Sequence, residues 1–287
     1  MTQFQMSKED HEKIKELRGL VATVVTGPMV APDYARFLSN MRDFNTRAGL
    51  QVEYRQFSGV FVSMGRELAA KHALKEDYDF MLMVDADAAP FPPFALAHLL
   101  RDLFIRLPQD AALVGAYAQL KSSPHIPTID TGTGKWEPHF PGSGIIEVMR
   151  TGGHFALVRV PHLKVIPRPW FDPKRTRTPL RLMQEMDNFV RRNLDGRNPF
   201  ADNGDWNLLM NQAHEAETRR LKEGIQRDFV GEDTAFVDRL RAAGMKAFVD
   251  TDLVAGHVTS KTITPQDLKD AMDKNHAKKA ACCGVIE

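Results

Sequence analysis

A short apolar run, DFMLMV over Asp79–Val84, ends directly at two carboxylates, Asp85 and Asp87. A continuous apolar run of this length is typical of a strand that is buried on both faces of a parallel sheet. Such a sheet carries helices on both faces, and its ligands bind in the crevice beyond the carboxyl ends of the strands. The run therefore predicts an α/β fold with an acidic ligand site at one edge of the sheet.

Strand and helix patterns alternate through about the first 120 residues, which predicts βαβ units and a parallel sheet. The predicted strands are Leu20–Thr26, Leu50–Phe57, Asp79–Val84 and Ala112–Ala116, and the predicted helices are Pro32–Arg47, Met64–Leu74 and Pro92–Ile105. Later in the chain, the patterns predict three more strands and one helix, at Ile145–Met149, Phe155–Val160, Lys246–Asp250 and Glu232–Ala243.

All 287 residues are expected to form one domain, with a polar lead-in over 1–18, a basic and helical segment over 164–230 and a polar tail over 260–287. The 38 basic and 37 acidic residues leave a net charge of +1, which excludes the overall basic excess typical of nucleic-acid binders. Cys282 and Cys283 are adjacent, which excludes a disulfide scaffold and favours a reducing compartment. Without an apolar signal segment or membrane span, the protein is expected to be soluble and cytoplasmic.

The paired carboxylates of Asp85 and Asp87 repel each other unless a cation lies between them. An anionic ligand at the same place needs the same cation. A divalent metal chelated by a diphosphate meets both requirements, because Mg²⁺ and Mn²⁺ prefer oxygen ligands. The alternative is that Asp-Ala-Asp is only a polar strand end.

Three later features are also compatible with a site. Glu232 and Asp233 precede a helical pattern, where a carboxylate acts either as an N-terminal cap or as a general base. His257 follows the last predicted strand, and a single histidine there is either structural or a ligand. Gly152 and Gly153 lie between two strands, where missing side chains allow a ligand to approach closely. Other histidines show no ligand-like spacing to one another: His98, His125, His139 and His162.

Together these motifs resemble the family 2 nucleotide-sugar glycosyltransferases of the GT-A fold, especially the short versions of phages and bacteria. The resemblance spans about Val21 to His257 and is looser from about 172 to 228. It is carried by DYDFMLMVDADAAPFPP, LVGAYAQLK, TGGHFALVRVPHL with PRPWF, and GEDTAFVDRLRAAGMKAFVDTDLVAGH. It implies a GT-A (Rossmann-like) α/β fold with a mixed, mostly parallel sheet flanked by helices. It also implies an enzyme that moves a sugar from a nucleotide-sugar, by default a UDP-sugar, to an acceptor hydroxyl.

The resemblance also assigns roles to individual residues. Asp87 and His257 would hold Mn²⁺ or Mg²⁺, and Asp85 would contact the ribose or a metal-bound water. Asp233 would be the catalytic base of an inverting transfer, and Glu232 would orient the acceptor or support the base. The donor would be bound at five further residues: Thr26 and Gly27 along the nucleoside, Arg66 at the ribose and phosphates, and Gly152 and Gly153 under the sugar. Many relatives carry Arg-Asn where this chain has Arg66-Glu67.

The acceptor is expected to bind the segment between the Gly-Gly pair and Gly231. Residues 164–197 hold nine Lys or Arg and four Asp or Glu, and five aromatic residues lie within or near them: Trp170, Phe171, Phe189, Phe200 and Trp206. This pattern suits either a nucleic-acid backbone with a flipped base or a solvated helical face with Trp170 and Phe171 in the core. The resemblance to phage glycosyltransferases implies that such a base would be a hydroxymethylated base of DNA. If the gene belongs to a phage, the host cytoplasm would be the place of action. A protein side chain, a glycan or a lipid-linked sugar also remains open as the acceptor.

Two other classes compete with the glycosyltransferase. A nucleotidyltransferase usually has a Gly-rich, basic loop after the first strand, whereas this chain has TGPMVAPDY and no basic residue before Arg36. A non-catalytic binding or structural protein with the same fold is the second competitor. The joint presence of Asp85, Asp87, Asp233 and His257 favours an active enzyme over it.

Overall fold

The computed structural model describes residues 6–25, 32–88, 91–119, 127–133, 137, 139, 141–172, 174–175, 207–208, 211–212, 215 and 229–254. The chain divides into two compact units, one of Met1–Asp172 with Glu232–Glu287 and one of Pro173–Gly231. In the second unit, a pair of short antiparallel strands is described, β9 (Lys174–Arg175) and β10 (Phe229–Val230). The rest of the fold described below belongs to the first unit.

The helices of the first unit are α1 (Lys8–Lys15), α2 (Pro32–Arg47), α3 (Val62–Lys75), α4 (Ala95–Arg101) and α5 (Glu232–Ala242). Its strands are β1 (Arg18–Val25), β2 (Gln51–Ser58), β3 (Phe80–Asp85), β4 (Ala111–Tyr117), β5 (Ile129–Asp130), β6 (Ile145–Val148), β7 (Arg150–Thr151), β8 (Phe155–Arg159) and β11 (Lys246–Val254). The helix predicted over Pro92–Ile105 begins later, at Ala95, and continues from Asp102 to Arg106 as a π-helical turn.

Seven strands form one sheet in the order β2-β1-β3-β8-β4-β11-β6. Five of them, β2, β1, β3, β4 and β11, run parallel, while β8 and β6 run antiparallel to their neighbours. The α/β class and the mixed, mostly parallel sheet flanked by helices are therefore confirmed. The run that ends at Asp85 is β3, and every residue from Phe80 to Val84 is buried.

The sheet has a hydrophobic core on each face because alternate strand residues point to opposite sides. On one face Leu82 and Val84 pack with residues of α2 and α4, such as Phe37 and Leu96. On the other face Met81 packs with α3, α5 and the 3-10 turn of Val160–Lys164. None of the helices in the described residues is long and apolar enough to span a membrane.

The antiparallel strand β8 lies between β3 and β4 and determines what stands at the edge of the sheet. Its register pairs Phe155 with Val84, so His154 lies opposite Asp85, and the Asp85 N–H donates to the His154 carbonyl at 3.0 Å. The carboxyl end of β3 thus meets the start of β8. Two motifs that are far apart in sequence, Asp85-Ala86-Asp87 and Gly152-Gly153-His154, are neighbours in space.

Trp170 and Phe171 belong to the core, and both side chains are almost fully buried. The Glu67 carboxylate accepts the backbone N–H groups of both residues, at 2.9 and 3.3 Å. Glu67, which departs from the Arg-Asn pattern, therefore anchors this turn. Of the two interpretations of the aromatic residues, core packing is correct for Trp170 and Phe171, which are not available to stack on bases. The other three aromatics, Phe189, Phe200 and Trp206, lie outside the described residues.

A buried charge cluster joins α4 to β11. The His98 Nε2 lies 2.6 Å from an Asp250 oxygen and 3.3 Å from an Asp102 oxygen. Two arginines complete the cluster, with the Arg101 Nη2 3.4 Å from that imidazole nitrogen and the Arg106 Nη1 3.3 Å from Asp102. Because two guanidinium groups balance Asp102 and the imidazole of His98 faces Asp250, the arrangement has the character of an ion cluster.

The cluster predicts a pH-dependent stability. Burial alone would lower the pKa of His98, but the carboxylates of Asp102 and Asp250 outweigh burial and raise the pKa to about 9, above the usual 6.5. The charged imidazole therefore stabilises the fold fully below pH 6.5, and this stabilisation is lost as the pH rises through about 9. Urea unfolding measures the free energy of unfolding of the wild type and of His98→Gln. The amount by which the wild type is more stable than the variant should shrink by up to about 3 kcal/mol between pH 6.5 and about 10. A difference that is constant over this range would contradict the assignment.

Candidate active site

Three side chains converge at the junction of β3 and β8. The His154 Nδ1 lies 3.6 Å from an Asp85 oxygen, Oδ2, and 3.7 Å from an Asp87 oxygen, Oδ1. One ligand atom from each residue lies within 4.8 Å of the other two. These separations exceed hydrogen-bond distance, and ligands that surround one octahedral ion at about 2.1 Å lie about 3 Å apart. Two carboxylate oxygens and one imidazole nitrogen form a donor set that fits a divalent metal, Mn²⁺ in particular.

His154 is a residue that the sequence analysis missed. The ring is buried, and it packs against Phe91 with ring centroids 6.4 Å apart. Its place opposite Asp85 follows from the antiparallel pairing of β8 with β3. The available sequence signal was a histidine directly after two glycines at the start of a predicted strand. That signal becomes informative only once the neighbouring strand is known.

Arg66 extends from α3 beneath the carboxylates. Its Nη2 donates to the Asp85 Oδ1 at 2.8 Å and to the Gly153 carbonyl at 3.1 Å, while its Nη1 donates to the Glu232 Oε1 at 3.2 Å. Burial alone would raise the pKa of Asp85, but the Arg66 guanidinium and then His154 outweigh it, so the pKa lies below its usual range. The Asp85 carboxyl group is therefore ionised at neutral pH.

Glu232 and Asp233 form the first turn of α5, where the helix dipole favours negative charge. The Asp233 Oδ2 accepts the Gly153 N–H at 3.0 Å, and its Oδ1 accepts the Thr234 N–H at 2.7 Å. The carboxylate is thus held on both oxygens by backbone donors. It lies next to the chain segment that carries His154, and this places a potential base beside a potential metal site.

A side chain at Gly152 or Gly153 would crowd neighbouring side chains. A Cβ at Gly153 would lie 2.7 Å from the Arg66 Nη1, and a Cβ at Gly152 would lie 3.0 Å from the Thr128 Oγ1. The Gly152 Cβ would also lie 3.7 Å from Asp233. Gly153 therefore makes room for a side chain of the protein itself.

The structure brings together most of the residues that the sequence analysis selected. Those gathered at this site are Arg66, Asp85, Asp87, Gly152, Gly153, Glu232 and Asp233. Thr26, Gly27 and His257 lie outside the described residues. Strand β11 ends at Val254, three positions before His257.

No family model and no curated protein sequence matches this chain. Among solved structures, A197 from STIV is similar with a TM-score of 0.49 and 16% identity, over 88% of this chain and 92% of that one. A glycosyltransferase involved in the glycosylation of the major capsid of PBCV-1 gives a TM-score of 0.31 and 9% identity, over 89% and 99% of the two chains. A mutant Drosophila beta-1,4-galactosyltransferase 7, in complex with manganese, UDP-Gal and xylobiose, gives a TM-score of 0.30 and 17% identity. This match covers 52% of this chain and 51% of that one. Similarity at this level does not define an activity, which has to be inferred from the side chains of the site.

The convergence of Asp85, Asp87 and His154 predicts binding of Mn²⁺ alone, in the absence of nucleotide. Asp87→Asn and His154→Gln should each weaken Mn²⁺ binding by about tenfold or more, because each removes one ligand. Electron paramagnetic resonance of free Mn²⁺ measures this directly. Asp77→Asn is the matched control, since Asp77 is 85% exposed and precedes β3 at the opposite end of the strand. Equal affinities in all four proteins would remove these residues from the metal site.

Proposed function

We propose that the protein is a metal-dependent glycosyltransferase that moves a sugar from a nucleotide-sugar, by default a UDP-sugar, to an acceptor hydroxyl with inversion. One arrangement carries this proposal. Gly153 donates its N–H to Asp233, and the next residue, His154, faces Asp85 and Asp87. A divalent-metal donor set thus adjoins a carboxylate that is suited to act as a base. Transfer of a sugar from a diphosphate to a hydroxyl is accelerated by both, the metal at the leaving group and the base at the attacking hydroxyl.

On the donor side, Asp85, Asp87 and His154 would hold Mn²⁺ or Mg²⁺, with His257 proposed as a further ligand after β11. A metal bound there would act as a Lewis acid toward the negative charge that develops on the departing nucleoside diphosphate. Asp85 and Asp87 would orient the diphosphate by holding its counter-ion at the edge of the sheet. Thr26 and Gly27 are proposed to lie along the nucleoside, and Gly152 beneath the sugar.

On the acceptor side, Asp233 would accept the proton of the attacking hydroxyl. Its two backbone donors hold this carboxylate in a fixed orientation at the start of α5. General base catalysis of this kind contributes typically about 10²–10⁴-fold in rate. Glu232, whose carboxylate is held by Arg66, would support this carboxylate or orient the acceptor.

The acceptor itself is proposed more broadly as a hydroxyl compound. The basic excess of residues 164–197 keeps a hydroxymethylated base in DNA among the acceptors to be tested. With Trp170 and Phe171 in the core, stacking on a flipped base would have to involve other aromatic residues. A DNA acceptor predicts an affinity that falls steeply with salt, whereas a salt-independent or absent interaction counts against it.

The first experiment is thermal unfolding with UDP, GDP, CMP and TDP and with UDP-sugars, each with and without Mn²⁺. A ligand at about 100 times its dissociation constant adds about 2.7 kcal/mol to the free energy of unfolding, which is a readily measured shift. We expect a Mn²⁺-dependent increase in Tm with UDP. No shift with any nucleotide would favour the non-catalytic alternative.

Two substitutions separate the roles of the carboxylates. Asp233→Asn should reduce release of UDP from the UDP-sugar by about 10²-fold or more and leave the affinity for UDP with Mn²⁺ unchanged, because a base acts on the acceptor. Asp87→Ala should instead abolish the Mn²⁺-dependent binding of UDP. Asp238→Asn, further along α5 and facing Arg150 at 3.5 Å, is the control that should retain turnover. Full turnover in Asp233→Asn would exclude Asp233 as the base.

A further inference from the structure

Arg66 is an enclosed cation at the centre of the site. Its side chain is 2% exposed, although it comes from α3 near the edge of the sheet. Resting on the function proposed above, we infer that Arg66 is a positioning residue that joins the metal side of the site to the base side. The resemblance to glycosyltransferases assigns it a different role, contact with the ribose and phosphates of the donor.

The contacts of Arg66 connect three separate elements. One arm of the guanidinium binds Asp85 at the end of β3 and the Gly153 carbonyl before β8. The other arm binds Glu232 at the start of α5. Asp85 and Glu232 are thereby linked through a single planar group. A guanidinium suits this role better than an ammonium, because its N–H donors diverge in a fixed geometry.

The charge of Arg66 is retained despite its burial. Burial by itself would lower the pKa of the guanidinium, but Asp85, Asp233 and Glu232 outweigh it and raise the pKa above its usual range. A cation beside three carboxylates offsets much of their mutual repulsion. Without it, the acidic groups of the metal side and of α5 would face one another uncompensated.

The glycine at 153 gives independent support. A Cβ at this position would lie 2.7 Å from the Nη1, 3.0 Å from the Cζ and 3.1 Å from the Nη2 of Arg66. The backbone is therefore shaped around the guanidinium plane. Gly153 also donates its N–H to Asp233, so the peptide groups of this residue contact both Arg66 and the proposed base.

Two consequences follow for the neighbours of Arg66. Since the Asp85 Oδ1 accepts from Arg66, the Oδ2 is the oxygen nearest His154 and is directed to the proposed metal ligands. Since Glu232 is held by the other arm, the first turn of α5 is held where Asp233 meets Gly153. A donor phosphate would have to displace these buried contacts to reach the guanidinium. Loss of Arg66 should therefore reduce turnover more than donor affinity.

The test compares Arg66→Lys with a matched control, Arg159→Lys. Arg159 is also buried, but it lies at the far end of β8 and donates to the carbonyls of Leu103 and Ala111. For each protein, calorimetry measures the affinity for UDP with Mn²⁺, and UDP release from a UDP-sugar gives kcat and KM. Thermal unfolding gives Tm for the same samples.

We expect Arg66→Lys to lower kcat by about tenfold or more while the affinity for UDP with Mn²⁺ stays within about threefold of the wild type. Arg159→Lys should lower Tm and keep kcat within about twofold. A loss of UDP affinity of about tenfold or more with kcat preserved would overturn the inference and assign Arg66 to the donor. An equal kcat in both variants would also overturn it, since Arg66 would then be merely structural.

A second measurement does not depend on activity. Asp85→Asn and Glu232→Gln are combined in a double-mutant cycle on Tm, once with Arg66 present and once in the Arg66→Met background. Because both carboxylates act on one guanidinium, their effects on Tm should be non-additive when Arg66 is present. In the Arg66→Met background only their direct repulsion remains, so the coupling should change in size or sign. If the wild type neither binds UDP with Mn²⁺ nor releases it, the proposed function fails. In that case, non-additive effects on Tm with Arg66 present would still support the link between the two carboxylates through Arg66. Additive effects on Tm with Arg66 present would overturn that link.

Discussion

The pairing of β8 with β3 is the interaction on which the site depends. Through it, the chain before Phe155 is brought against the end of the strand that carries Asp85. The resulting junction supplies a histidine to two carboxylates and a peptide N–H to Asp233. An all-parallel sheet would leave the next strand's carboxyl end at this edge, with no approaching segment beside β3. The antiparallel strand β8 therefore adds a histidine and a peptide N–H to a sheet edge that would otherwise carry only two acidic groups.

Charge is distributed differently on the two faces of the sheet near this edge. On the α3 and α5 side, the Arg66 guanidinium forms ion pairs with two carboxylates that are partly open to solvent. Asp85 is 27% exposed and Glu232 is 24% exposed. On the α4 side, His98 pairs with the buried carboxylates of Asp102 and Asp250, and two arginines also pair with Asp102. The open set is accessible to a ligand from solvent. The closed set has the character of a structural connection between α4 and β11.

Periodicity and composition predict most of the fold, because buried strands and amphipathic helices leave direct patterns in the sequence. The strand before Asp85 and the helix after Gly231 are examples, and the position of Asp85 and Asp87 at a sheet edge follows from them. Strand order leaves no such pattern, so His154 could not be associated with the carboxylates. The spacing of His98 and Asp102 by four residues was visible in the sequence, but their partner Asp250 comes from about 150 residues away and becomes evident only in the fold. Arg66 was selected for the correct region, whereas its contacts depend on three elements that the sequence does not bring together.

The contact between Gly153 and Arg66 has an evolutionary consequence. The two positions are 87 residues apart in the chain, yet the guanidinium occupies the space that a side chain at 153 would need. A lineage that keeps the arginine has to keep the glycine, while a lineage that replaces the arginine with a shorter residue becomes free to place alanine or serine there. A substitution at 153 should therefore follow a substitution at 66 and not precede it.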